Sequence, residues 1–191
     1  MRKLFSALVL GGALLLASCT TTPPVVPVAK APEPVGQPLP YRWTHGNAEK
    51  SRQAMIDTFK KGFLPTGEFV WAETLPAEGQ PKIIIDLLTQ TAYAYQGDAL
   101  VGAASISSAK IGKVTPLGFW KVLEKRKMYR SKKYNNAPMP FMQRIDEYGI
   151  ALHGGVNPGY PASHGCIRMP MKFAEKLFGL TKLGTEVVIE G

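Results

Sequence analysis

The sequence is poor in the residues that most often staple a fold or carry chemistry. It has two cysteines and three histidines in 191 residues. Two cysteines cannot build a multi-disulfide framework, and no Cys-x-x-Cys zinc pattern is present. Acidic side chains are also scarce, 14 Asp and Glu against 23 Lys and Arg, so the formal net charge is +9. Charged residues make up 19% of the chain, below the roughly 25% of an average soluble domain, while the 45% hydrophobic content is enough for a packed core and excludes a disordered chain. The longest apolar stretch, Leu4 to Leu16, has 13 residues, short of the about 20 that cross a bilayer as a helix.

That stretch has another reading. Arg2 and Lys3 precede it and the small residues Ala17 and Ser18 follow, which is the three-part layout of a secretory signal peptide. Leu16-Ala17-Ser18-Cys19 resembles a bacterial lipobox. The resemblance implies cleavage after residue 18 and a lipidated Cys19 that anchors the chain without spanning the membrane. Thr20 follows Cys19 where Asp is absent, which by the sorting rule of such lipoproteins implies the outer membrane, facing the periplasm. Residues 19–40 contain seven prolines and are expected to form a semi-rigid tether reaching up to roughly 60 Å.

From residue 41 the pattern is that of a folded chain. A helix is expected from Asn47, as its cap, to about Lys61, with Ala48, Arg52, Met55, Ile56 and Phe59 on one face and Gly62 as its stop. Residues 63–80 are rich in breakers and read as a connector, so 41–80 is expected to be a helical extension. Strands are expected at 82–88, 91–96 (with Tyr93 and Tyr95 on one face), 99–107, 118–124, 149–153 and 185–190. A second helix fits 170–178, with Pro170 in its first turn, Met171, Phe173, Ala174, Leu177 and Phe178 on its buried stripe, and Gly179 ending it. Short strands separated by turns imply a mainly β, largely antiparallel fold over 81–191 with one or two peripheral helices.

The chemistry concentrates in one place. Residues 149–170, GIALHGGVNPGYPASHGCIRMP, hold His153, His164 and Cys166. A nucleophilic thiol needs a base within hydrogen-bond reach and partial exposure, and two histidines within 13 residues of the same Gly/Pro-rich stretch supply candidates. If Cys166 lies at the start of the 170–178 helix, the free amides and dipole there favour its thiolate and provide an oxyanion site. A buried structural thiol and a metal site of Cys and two His remain alternatives at this level.

Ser163-His164-Gly165-Cys166-Ile167-Arg168, with His153-Gly154-Gly155 upstream, resembles the catalytic signature of the L,D-transpeptidase (YkuD-type) family. Ile83 to Tyr95 resembles the family's opening hairpin, Thr115-Pro116-Leu117-Gly118 its Thr-Pro-x-Gly turn, and Pro138-Met139-Pro140-Phe141 its substrate-side segment. The resemblance implies an antiparallel β-sandwich or barrel-like catalytic domain. It implies Cys166 as nucleophile and His153 as general base, with the Gly154 carbonyl orienting the imidazole in place of a triad carboxylate. The amides of Gly165 and Cys166 would stabilise the oxyanion, His164 and Ser163 would shape the loop, and Arg168, Met139, Phe141 and Tyr134 would bind substrate. No cofactor and no metal are implied. The expected partners are peptidoglycan stem peptides, the membrane through the N-terminal lipid, and carbapenems as covalent inhibitors.

The implied reaction is attack of Cys166 on a stem peptide, release of D-Ala, and transfer of the acyl group to an amine as a 3→3 cross-link. Water as acceptor would make the same site an L,D-carboxypeptidase or hydrolase. A non-catalytic, wall-binding lipoprotein is the rival of a different class. Nucleic-acid binding finds no motif. The positive charge is local: residues 110–133 hold nine Lys and Arg against Glu124 alone, and the rest of the chain beyond residue 18 is near balance. A local basic segment next to the substrate-side motif points to a carboxylate-rich peptide or wall polymer.

Overall fold

A computed structural model describes residues 41–191. The expected signal peptide, Cys19 and the proline-rich tether lie outside the described residues. Among those described, no helix is long and apolar enough to cross a membrane.

The chain runs α1 (Asn47–Phe59), β1 (Phe69–Trp71), β2 (Pro81–Asp86), β3 (Thr91–Gln96), β4 (Ala99–Ser105), β5 (Gly118–Lys121), β6 (Glu124–Arg130), β7 (Pro138–Arg144), β8 (Ala151–Gly154), β9 (Ile167–Met169), α2 (Met171–Leu180) and β10 (Glu186–Glu190). A six-stranded sheet has the order β1-β4-β3-β2-β10-β5, and a four-stranded sheet the order β6-β7-β8-β9. Pairing is antiparallel except between β2 and β10 and between β8 and β9.

Residues alternate faces along a strand, so β2 and β10 each serve two cores. Ile83, Ile85, Val187 and Ile189 face the interior shared with Leu152, Ile167 and Met169 of the second sheet and with Phe173, Ala174 and Leu177 of α2. Ile84 and Val188 face the other way, under Ala48 and Met55 of α1, together with Tyr93. This double burial explains why β2 reads as an unbroken apolar run rather than an alternating one.

The helices differ from expectation at their ends. Gly46, left-handed at φ 76°, stands at the N-cap of α1, and the Asn47 side chain instead donates to Glu190 at 2.9 Å. Lys60, left-handed at φ 58°, ends the helix before Gly62. Ser51 rather than Arg52 shares the buried face with Ala48 and Met55. Pro170 precedes α2 as its N-cap, and the helix runs through Gly179 to Leu180. Met171 is exposed rather than part of the buried stripe.

Four strands were not expected. The supposed connector contributes β1, which pairs with β4. The expected strand at 118–124 ends at Lys121, and a separate strand, β6, begins at Glu124. β6 is a charged edge strand with no apolar alternation, a composition typical of edges. β7 carries Pro138 and Pro140, which argue against a strand. They are tolerated because β8 pairs only with Gln143 and Arg144, so the proline end of β7 is an edge on that side. β9 is only three residues long and parallel to β8.

Candidate active site

Register brings the chemical residues together. Leu152 pairs with Ile167 and His153 with Arg168 across the parallel β8–β9 ladder. Paired residues share a face and faces alternate along a strand. Ala151, His153 and Arg168 therefore point to one side, and Cys166, two residues before Arg168, extends that row. Leu152, Ile167 and Met169 point to the opposite side, into the core. The row opens into a cavity of about 1090 Å³ that is also lined by Ser163, His164, Gly154, Tyr134, Met139 and Phe141.

His153 is buried. Its Nδ1 lies 2.8 Å from the carbonyl oxygen of its neighbour Gly154. A carbonyl only accepts, so this bond assigns the proton to Nδ1 and leaves Nε2 as an acceptor. Burial pushes the imidazole pKa down and the Arg168 charge adds to this, outweighing the bond to Gly154, which acts in the opposite sense. The ring is therefore neutral at neutral pH. A Cβ at Gly154 would meet Met171 Sδ at 2.8 Å, the flexible end of an exposed side chain that can move aside.

Cys166 is a free, partly buried thiol that packs against the cluster of Met139, Met142 and Ala151. Its Sγ lies 3.7 Å from the Gly149 carbonyl oxygen. Burial pushes the thiol pKa up and Asp146 adds to this, against the Ala151 amide and Arg168. The expected assistance from α2 does not arise, because β9 separates Cys166 from the helix, which starts at Met171. The pair is thus a neutral thiol beside a neutral imidazole, an arrangement suited to general-base activation during attack.

The loop holding Cys166 is braced from inside. Ser163 Oγ donates to the Cys166 carbonyl at 2.6 Å and accepts from the Gly165 amide at 3.0 Å. Thr115 Oγ1 donates to the Gly165 carbonyl at 2.8 Å. The Gly165 amide is therefore turned toward Ser163 and is not presented to an oxyanion as expected; of the two amides only that of Cys166 is free of this bracing. Gly165 has φ 140°, and a Cβ would meet Ile150 Cδ1 at 2.4 Å and the Val114 carbonyl at 3.1 Å. His164 is exposed and its ring stacks on Tyr134, with centroids 4.4 Å apart and planes 19° apart. Slight desolvation and the charges of Lys110, Lys113 and Arg168 lower its pKa.

Two features that build the site were not read from the sequence: the backbone conformation at Phe141, and Asp146. Phe141 has φ 55° within β7, a conformation that bulky residues rarely adopt. Met139 and Met142, three apart, would point to opposite faces of a regular strand, yet both belong to the cluster on which Cys166 packs; the left-handed Phe141 between them switches the face. Asp146, buried, accepts from the amides of Gly149 and Ile150 at 2.8 and 2.7 Å, shaping the turn that offers the Gly149 carbonyl to Cys166. The signal for Asp146 was an acid-then-glycine turn just before a strand; for the left-handed backbone at Phe141 the sequence carried none. Arg168 forms no ion pair among the described residues.

The structure thus places a thiol and an oriented imidazole on one face of a two-sheet β fold, beside a common cavity. Residues 80–189 match the family model for the YkuD L,D-transpeptidase catalytic domain, and the chain belongs to that family. No curated protein matches the chain. Among solved structures, an L,D-transpeptidase from Stackebrandtia nassauensis is similar at 24% identity and TM-score 0.54, over 62% of this chain and 58% of that one. One from Xylanimonas cellulosilytica is similar at 26% identity and TM-score 0.53, over 72% and 68%. The L,D-transpeptidase LdtMt1 in complex with imipenem has a TM-score of 0.53 at 15% identity, over 57% and 58%. The chain thus spans under two thirds of the length of the first of these relatives.

Proposed function

We propose that this protein is a peptidoglycan L,D-transpeptidase that forms 3→3 cross-links through a thioester on Cys166. The observation that carries the reading is the shared row of His153 and Cys166 on the β8–β9 face, with Nδ1 of His153 held on the Gly154 carbonyl. In the proposed reaction, His153 Nε2 takes the thiol proton as Sγ attacks the carbonyl of the third stem residue. The tetrahedral oxyanion is met by the Cys166 amide. The imidazolium returns the proton to the departing D-Ala amine, so the C–N bond breaks and the thioester remains. An amine from a neighbouring stem then attacks, His153 takes its proton, and the thiol is regenerated. The amide bond energy is retained in the thioester, so no nucleotide is consumed.

Met139, Phe141, Tyr134 and Arg168, which line the cavity, are the proposed substrate contacts, and His164 and Ser163 the loop supports. Export with a lipid on Cys19, outer-membrane attachment and access to the periplasmic wall are proposed from the sequence of residues 1–40. Because LdtMt1 has been solved with imipenem, carbapenems are proposed to acylate Cys166. Mass spectrometry of products from a disaccharide-tetrapeptide tests the acceptor. Dimers joined between third residues support transpeptidation; tripeptide alone assigns the site to a carboxypeptidase; no product at all favours a wall-binding protein.

A further inference from the structure

The nine basic side chains of 110–133 do not act as one patch. Lys125 Nζ donates to the carbonyls of Phe178, at 2.6 Å, and Thr181 at the end of α2. Arg126 pairs with Glu124, and Arg130 donates to the Asn136 carbonyl at 3.1 Å. Lys133 donates to the Tyr148 carbonyl at 2.9 Å, tying the β6–β7 turn to the turn between β7 and β8. Lys121 belongs to β5 in the other sheet. Lys110 and Lys113 lie near His164 and do not line the cavity. Lys127 and Lys132 remain: both are exposed, both line the cavity, and neither has a protein partner among the described residues.

The acidic groups on the same lining do not cancel them. Glu124 is held by Arg126 and Arg144, which leaves Glu147 as the one carboxylate there without an ion pair among the described residues. Arg168, unpaired and beside His153, adds a further positive charge at the floor. A cavity with this balance attracts an anion and gains nothing from a neutral ligand of equal shape.

Stem peptides exist in two such forms. A glutamate linked through its γ-carboxyl keeps a free α-carboxylate, and a diamino-diacid at the third position keeps a second; amidation neutralises each with little change in size. We propose that Lys127 and Lys132 form a carboxylate-reading wall that selects donor stems with free carboxylates over amidated ones. The proposal rests on the peptidoglycan reading above and specifies which donor that site prefers.

The test uses the full chain and two synthetic disaccharide-tetrapeptides, one with free carboxylates and one amidated. D-Ala release gives KM and kcat, and calorimetry on the Cys166→Ala chain gives Kd for each donor without turnover. Amidation is expected to raise KM and Kd about fivefold, the size two exposed ion pairs can supply, with kcat within about twofold. K127Q/K132Q is expected to bring the carboxylate donor most of the way to the amidated value, Arg168 supplying the remainder, and leave the amidated donor unchanged; the single variants K127Q and K132Q each give part of that shift. Equal KM and Kd for the two donors, or variants that weaken both alike, would overturn the proposal. If the wild-type chain released D-Ala from neither donor, the reaction assignment would fail, and the Kd ratio would still decide the selectivity.

Discussion

Across the parallel β8–β9 pair, His153 stands opposite Arg168, while Cys166 lies one step diagonal to it. The guanidinium therefore acts on the imidazole that serves as the proposed base. Removing a neighbouring positive charge favours the imidazolium, so Arg168→Met is expected to raise the His153 pKa toward its ordinary 6.5. The acid limb of kcat/KM should move to higher pH in that variant and stay in place in Arg168→Lys. Imidazole titration by NMR measures the shift directly, and an unchanged acid limb would remove Arg168 from this role.

The raised thiol pKa predicts slow chemistry without substrate. Iodoacetamide should alkylate Cys166 with a midpoint above the ordinary thiol value of 9.0, because only the thiolate reacts. A midpoint near neutrality would indicate a preformed thiolate–imidazolium pair and contradict the neutral-pair account.

Glu190 clamps the segment ahead of α1 onto the sheet. Burial pushes its carboxyl pKa up, but hydrogen bonds from the Ala48 amide, the Asn47 side chain, the His45 amide and Thr44 outweigh it and hold the pKa below 4.5. A carboxyl lowered on folding stabilises the protein above its unfolded pKa, and this is lost as pH falls through the lowered folded value. Glu190→Gln is expected to cost about 2 kcal/mol near neutrality, measured by urea unfolding, and the gap to wild type should close as the pH falls below 4.5. A pH-independent gap would contradict the ionic clamp.

Gly165 is fixed by its surroundings. Gly165→Ala places a methyl against Ile150 and the Val114 carbonyl at φ 140°, a conformation costing about 1–3 kcal/mol for other residues. The chain is expected to fold with a lower Tm and to lose at least about tenfold in kcat, because Cys166 follows directly. A variant with full kcat would show that the loop tolerates displacement.

How far the sequence foretold this site follows from which interactions are local. β3 matches its expected limits, 91–96, because β-branched and aromatic residues between turn signals report on local backbone preference. The stripe Phe173, Ala174 and Leu177 was legible for the same reason. β6 and β7 were not, because a charged edge and a proline-bearing strand are decided by their partners. The His153–Arg168 pairing, the burial that raises the thiol pKa and the face switch at Phe141 all depend on tertiary register, which no local pattern encodes. The expected help from the α2 dipole failed because three residues of strand fit between Cys166 and the helix.

The central claim is a covalent acyl-enzyme on Cys166, and intact-mass spectrometry of the full chain tests it most directly. After brief mixing with disaccharide-tetrapeptide, or with imipenem as a slow-turnover probe, the account predicts an adduct that maps to Cys166, is absent in Cys166→Ala and is strongly reduced in His153→Gln. Continued product formation by the Cys166→Ala chain, or an adduct located elsewhere, would contradict it.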